Sequence, residues 1–578
     1  MKRHNTRDRG FKISVLYLGM IWGLAGCTNL SVKTGNGTMA PGSQNRTVDH
    51  LQLSRKEPNF AAIRPRSMIR DELTTVFSKS QVEELDFRKS FLSSEAQLFT
   101  ALYEGLFSYH PFTMEPVPGV AFRWTVSEDK KQWTFTLRRN AKYWNGDPVV
   151  AEHFRSAWLS LLHPSQDSPY SSLFDIIEGA RDYRLGKLRD PNRVGVIAQD
   201  DRTLVVRLTD PASFFPSMLC HHSFSPIHPS MLNKKDWSAD PPVSNGPFYM
   251  LENKPDQMVL AKNGSYWDAA NVSLNKLIFK FTKDGEEAAI LWNSGEARWI
   301  FGDVNIDNLT DRSGIMVNPM FATHYYFIRS AEKPWNDYRV RRALSLALPW
   351  EQIREGYYLP AKTLIYPIPG YPPIEGINAT DTEKAQQLLV EAGYPKGAGL
   401  PALVIRLTPS PDAARVGALM AGAWIEKLGV PVKIEVVPFG QYFQALKQND
   451  YGVGFTTWIG DFADPYTFLQ MWRRDSNLND AQYNDVDYEK LMDRSMTEEG
   501  EKRFETLAEA ETLLLDRGVV LPISYSPAIN IIDIDEIDGW FPNALDIHPF
   551  KYLSFKAFKP LPGVASVPFM HLAVYNSR

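Results

Sequence analysis

Trp133-Thr134-Phe135-Thr136-Leu137-Arg138-Arg139-Asn140-Ala141-Lys142-Tyr143-Trp144-Asn145-Gly146-Asp147-Pro148-Val149-Val150-Ala151-Glu152-His153-Phe154 is the stretch on which the fold turns. Aromatic and β-branched residues alternate over 133–138, which predicts a strand. Asn145-Gly146 supplies a tight turn, because both residue types tolerate positive φ. Pro148 limits the chain after the turn, and a helix start follows. A strand handed directly to a helix through a short turn is the unit of a layered α/β fold.

The same signals recur further along the chain. Residues 203–208 and 276–281 read as strands. Over 339–348, Val340, Ala343, Leu344 and Ala347 fall on one helical face. Residues 382–392 place Ala385, Leu388 and Leu389 together and stop at Gly393. Further amphipathic helices are expected at 413–428 and 502–515. No internal repeat is visible.

The chain has 578 residues, 44% of them hydrophobic, which is material for two or three globular domains. A net charge of −4 gives no reason to expect nucleic acid or an anionic surface as the main partner. Its two cysteines, Cys27 and Cys220, cannot form a disulfide scaffold, so the fold depends on its apolar core.

Lys2, Arg3, Arg7, Arg9 and Lys12 form a basic leader, followed by an apolar stretch over 13–25. That stretch is short of the roughly 20 residues a membrane span needs and has the flanks of an export signal. It ends in Leu24-Ala25-Gly26-Cys27, which resembles a bacterial lipobox. The resemblance implies a signal peptide over 1–26 and lipidation of Cys27. Several acyl chains hold a protein stably at a membrane where one does so marginally. Residues 27–65, with runs such as Pro41-Gly42-Ser43-Gln44-Asn45, read as a flexible tether.

Four segments carry a family resemblance. The first is the stretch quoted above. The second is Val243-Ser244-Asn245-Gly246-Pro247-Phe248-Tyr249, followed by Asn263-Gly264-Ser265-Tyr266-Trp267. The third runs from Trp335-Asn336-Asp337-Tyr338-Arg339 to Leu348. The fourth is Trp458-Ile459-Gly460-Asp461-Phe462-Ala463-Asp464-Pro465, then Tyr483-Asn484 and a helix near Val486. In this order, over roughly 85–556, they resemble the oligopeptide-binding proteins of bacterial ATP-driven (ABC) importers, the peptide/nickel family 5 solute-binding proteins. The resemblance implies an α/β, two-lobed, hinged fold of the periplasmic-binding-protein kind (class II type), with an extra domain inserted in the first lobe. Lobe one is expected from 66–104, 200–279 and 521–556, the inserted domain from 105–199, and lobe two from 280–520. Residues 557–578 form a C-terminal extension to which no role is assigned.

The implied function is capture of short peptides between the lobes and delivery to the importer's permease, by a monomer attached to the membrane only through its lipid. No cofactor or metal is expected. A receptor for varied peptides must read backbone groups, the α-ammonium and the terminal carboxylate. Strand addition serves the first of these. By residue type alone Asp461 is a turn acid. In the motif it matches the Asp that pairs with the ligand's α-ammonium, and Trp458, Ile459 and Gly460 match the strand that pairs with the peptide. A second strand is expected near Phe91, Leu92 and Ser93. Asn245, Tyr170 and Tyr525 fall where similar proteins face the cleft, each with a packed or turn residue as the alternative. Phe439 matches an aromatic of a side-chain pocket, with an ordinary core role as its alternative.

Similar proteins often carry an Arg shortly before the Trp458 position. Here Gly454-Phe455-Thr456-Thr457 contains no base. That leaves the ligand's carboxylate without an assigned partner and leaves room for wall-derived peptides. Asp464 reads as a structural turn acid. Adjacent His221-His222 lacks metal-ligand spacing and reads as surface or satisfied loop histidine. Other cargoes on the same fold (a metal chelate, haem, a sugar) and a secreted glycosidase with two opposed carboxylates are the rival readings. No Gly-x-Ser-x-Gly elbow is present.

Overall fold

The computed structural model describes residues 70–78, 84–166, 168–237, 241–302 and 304–557. The leader, Cys27, the tether and the C-terminal extension from residue 558 lie outside the described residues. No helix among the described residues is long and apolar enough to cross a membrane.

In the opening stretch the strand forms at Gln132–Leu137 and the helix at Ala151–Leu162. Gly146 takes φ +92°, its N–H donates to the Tyr143 carbonyl at 2.9 Å, and Asn145 Oδ1 accepts from Asp147 N–H at 3.1 Å. The helix buries Phe154, Ala157, Trp158 and Leu161. The other expected strands lie at Thr203–Arg207 and Lys276–Thr282, and the helices at Tyr338–Leu346, Thr382–Glu391, Pro411–Leu428 and Gly500–Asp516. Asp381 caps Thr382–Glu391 by accepting from Lys384 N–H, and Gly393 turns the chain away at φ +91°.

A ten-stranded sheet runs through the molecule in the order Val432–Val436, Leu403–Leu407, Val453–Ile459, Ile315–Ile328, Val520–Ile532, Trp299–Phe301, Glu72–Ser78, Lys276–Thr282, Gln257–Lys262, Phe248–Asn253. Its two longest strands, Ile315–Ile328 and Val520–Ile532, pair in two separate runs. One goes from Ile315↔Ile531 to Pro319↔Pro527 and the other from Thr323↔Tyr525 to Phe327↔Val520. The break falls where Pro319 faces Pro527. Neither proline has an N–H to give the ladder, so pairing lapses there. The break divides the sheet into two halves, joined by the two crossing strands.

Strand pairing crosses two of the expected boundaries. The first half does not end at 279, because Val76 pairs with Ile300 and helix Gly285–Asn293 packs Ala288, Ala289 and Trp292 against Val76, Ile300 and Ile531. Helix Gly285–Asn293 and strand Trp299–Phe301 therefore pack with the half of the sheet that holds Glu72–Ser78. The same holds for the inserted unit at 199, which falls inside a paired sheet. Its four-stranded sheet, ordered Ala121–Val126, Gln132–Leu137, Thr203–Arg207, Val196–Asp200, closes only with the strand that follows. Both boundaries are set by pairing between distant segments, which local periodicity does not report.

Candidate functional site

A cavity of about 710 Å³ lies between the two halves. Phe91, Tyr109, Tyr170 and His221 line it from the first side, and Phe439, Phe443 and residues 456–461 from the second. Met320 and residues 526–529, at the break in the crossing strands, close its back. Across the rim, Arg181 pairs with Asp475, and Asn477 Nδ2 donates to the Pro169 carbonyl at 2.9 Å. The cleft is closed.

Strand Val453–Ile459 delivers Asp461 to this cavity. Gly460 donates its N–H to the Phe321 carbonyl at 2.8 Å, and a Cβ there would stand 2.5 Å from the Phe321 ring. Only glycine lets the chain pass so close. Asp461 is then fixed by Thr467, whose Oγ1 accepts from the Asp461 N–H at 2.9 Å and donates to Oδ2 at 3.0 Å. The Tyr170 hydroxyl also bonds the carboxylate, and Tyr109 donates to the Asp461 carbonyl at 3.2 Å. His221 Nε2 lies 3.7 Å from Oδ1. Burial, aided by neighbouring His222, holds the His221 imidazole well below its ordinary range, so it brings no positive charge. Among the described residues, no Lys or Arg pairs with Asp461. Burial pushes its carboxyl up to about 7, opposed by the Thr467 and Tyr170 hydrogen bonds.

The strand leading to Asp461 has one free edge. It pairs with Ile315–Ile328 from Ile328↔Val453 to Ala322↔Ile459, while on its other side the pairing with Leu403–Leu407 is confined to Ile405↔Val453. On that other side the Tyr442 hydroxyl meets both backbone groups of Phe455, accepting from N–H at 2.9 Å and facing the carbonyl at 3.1 Å. Backbone groups of an antiparallel strand alternate in direction. Thr457 and Ile459 therefore turn their N–H and C=O groups to the side that Phe455 faces. The arrangement offers a short rail of backbone donors and acceptors ending at an acid.

Comparison with known proteins agrees with this architecture. The model of the bacterial extracellular solute-binding proteins, family 5 (middle region), matches residues 115–480. The chain belongs to this family. It is 30% identical over 436 residues to the oligopeptide-binding protein OppA of Bacillus subtilis (strain 168), covering 71% of this chain and 80% of that one. It is 30% identical over 474 residues to the periplasmic oligopeptide-binding protein OppA of Salmonella typhimurium, covering 77% and 86%. The solved structure of the Escherichia coli murein tripeptide binding protein MppA superposes with a TM-score of 0.74 at 26% identity, covering 84% of this chain and 99% of that one. The two-lobed α/β fold of this family 5 protein is that of solute-binding proteins.

The remaining candidates in this family 5 protein divide. Phe91, Leu92 and Ser93 line the cavity, but no strand forms there: Leu92 is extended at φ −88° and ψ 141° and precedes helix Ser93–Leu102. Tyr170 is buried with its ring centroid 4.6 Å from His221 and 6.4 Å from Trp458. Phe439 lines the cavity at the start of helix Phe439–Leu446. Asn245 is instead spent inside the first lobe, accepting from Glu104 N–H at 3.3 Å and donating to Glu104 O at 2.8 Å. Tyr525 is absent from the cavity lining and its hydroxyl bonds Thr363. Asp464 receives two hydrogen bonds from Arg503, at 2.8 and 2.9 Å.

His221 is a satisfied turn histidine, its Nδ1 accepting from Ser223 N–H at 3.3 Å, but the pair is not at the surface: both side chains line the cavity and His221 approaches Asp461. Packing of Tyr170 over both rings buries them. Tyr109, Thr467 and Phe443 were also missed. Of these only Thr467 carried a signal, a hydroxyl one short turn past a motif acid. The cations on the cavity wall are already engaged: Lys447 pairs with Asp480 at 2.8 Å, and Lys551 with Glu104 at 3.5 Å. No arginine lines the cavity among the described residues.

Proposed function

We propose that this protein captures short peptides in the closed cleft and hands them to the permease of an ABC importer. The observation that carries the reading is Asp461, a buried carboxylate met only by neutral groups and standing at the end of a free strand edge. A peptide's α-ammonium supplies the missing charge. Its backbone pairs with Thr457 and Ile459 by strand addition, which reads no side chains. Relatives named as oligopeptide-binding proteins support the same cargo class.

Closure follows population shift, because a ligand touches both lobes only when they meet. The protein acts as a receptor and not as an enzyme. Asp464, the acid nearest Asp461 in the motif, is held by Arg503 and is not free to work as its catalytic partner. A wall-derived peptide with several carboxylates is the less favoured cargo, since Lys447 and Lys551 already face acids. Lipid on Cys27 keeps the receptor at the outer face of the membrane, on a tether over 27–65. Lobe one takes in residues 285–318 besides its expected segments.

Calorimetry with trialanine and N-acetyl-trialanine tests the reading. The free peptide binds and the acetylated one does not. Equal affinity for the two would remove the α-ammonium from recognition. Replacing Cys27 by Ser moves the protein from the membrane to the soluble fraction if the anchor is lipid.

A further inference from the structure

Another cavity, of about 860 Å³, is walled only by residues between Ser330 and Arg517. The segment over 474–482 separates it from the cleft. Asn477, Leu478, Asp480 and Ala481 of that segment line the cleft, while Arg474, Ser476, Asn479 and Gln482 line the other cavity. Three arginines, Arg341, Arg474 and Arg517, and one acid, Asp485, are its charged groups. Arg341 is 3% exposed. Its Nε donates to the Arg517 carbonyl at 3.1 Å and its Nη1 to the Trp335 carbonyl at 2.6 Å. Among the described residues its Nη2 has no partner and no carboxylate pairs with it. The acids nearby are committed elsewhere. Asp337 pairs with Arg339 at 2.6 Å, while Asp485 caps helix Val486–Thr497 and lies 3.5 Å from Arg517. Burial pulls the Arg341 guanidinium down to about 10, and Tyr483, Asp337 and Asp485 offset only part of that.

We infer that this cavity binds a phosphate-type dianion, free or as a monoester, on Arg341, Arg474 and Arg517. Three positive charges against one negative leave two to be balanced, which is the charge of a dianion. A guanidinium presents its N–H groups in a fork that matches phosphate oxygens. A buried charge without a partner is costly, so Arg341 gains most from an incoming anion. Arg474 is half exposed and stands 3.9 Å from Asp475, an acid that Arg181 already holds. Its weak pairing leaves it free to turn to the anion. The site uses no residue of the Asp461 rail, so it stands whether or not the cleft takes peptides.

Calorimetry on the full chain tests the site with inorganic phosphate and with glycerol 3-phosphate, at an ionic strength held constant with chloride. The wild type binds one or both with a Kd of about 1 mM or tighter. The tighter of the two tells a free anion from an ester. Arg341→Lys keeps the charge, loses the fork and weakens binding at least about tenfold, or about 1.4 kcal/mol. Arg474→Gln, at a half-exposed side chain, weakens binding about threefold or more with an unchanged urea midpoint. This second variant guards against a folding defect in the first. Heat no greater than that from added chloride would overturn the site. So would equal binding by the wild type and both variants.

Discussion

Asp461 and Asp464 sit three residues apart, both buried, in opposite electrostatic situations. Asp464 is gripped by Arg503 through two hydrogen bonds, and the guanidinium lies 4.5 Å over the Phe214 ring. Asp461 has only hydroxyls and a neutral imidazole around it. A buried charge is tolerated when it is paired and costs several kcal/mol when it is not. The first acid is complete within the chain and serves the fold. The second has no counter-charge among the described residues, which is what the proposed α-ammonium site requires. Burial is common to both acids; a built-in counter-charge is what separates them.

The sharpest way to break this contrast is to orphan the paired acid. Arg503→Met strands Asp464, and we expect a loss of about 3–5 kcal/mol in unfolding free energy by urea titration. A loss below about 1 kcal/mol would show that water reaches Asp464 and that the two acids are alike.

Asp461→Asn is expected to do the reverse. It weakens peptide binding at least tenfold, about 1.4 kcal/mol or more, while leaving the unliganded protein no less stable. Unchanged affinity by calorimetry would take Asp461 out of the site.

Titration sharpens the comparison further. The Asp461 carboxyl stands at about 7 in the folded protein and at about 3.9 in an unfolded chain. Between those values the native state holds the extra proton, so this group's contribution to stability falls as pH rises from about 4 to about 7. The unliganded wild type should therefore lose stability relative to Asp461→Asn across that window. A bound ammonium favours the ionised carboxylate, so peptide capture at pH 6 expels a proton and at pH 8 it does not. Affinity then falls by up to about tenfold per pH unit below 7. Calorimetry in two buffers of different ionisation enthalpy reads the proton directly, and no release at pH 6 would contradict the assignment.

The smallest expected effect is at Thr467. Thr467→Val removes the hydroxyl that donates to Oδ2 and accepts from the Asp461 N–H. Each such bond is worth about 1 kcal/mol. The pH midpoint of binding should move upward and affinity at neutral pH should drop several-fold. A midpoint that stays in place would leave Tyr170 as the sole orienting donor.

Local order was legible where local rules govern it. The turn at Asn145-Gly146, the stop at Gly393 and the apolar helix faces follow from φ preferences and periodicity, which neighbours in the chain decide. The division of the acids was half legible. Motif context pointed to Asp461, and a turn role for Asp464 was plain, yet Arg503 as its partner was not visible. Asn245 shows the limit of position by analogy: it lies in a matched motif and spends both ends of its amide on Glu104.

From the residues come the element types and the tight turns, and from the family resemblance the order of the segments and the choice of Asp461. Tertiary structure decided which half of the sheet helix Gly285–Asn293 packs on, why the ladder lapses at Pro319 and Pro527, and that His221 faces Asp461 while Tyr525 turns to Thr363. The reason is range. Dihedral preference and amphipathic period act over a few residues, whereas burial, counter-charge and the free edge of a strand depend on segments from tens to hundreds of residues apart.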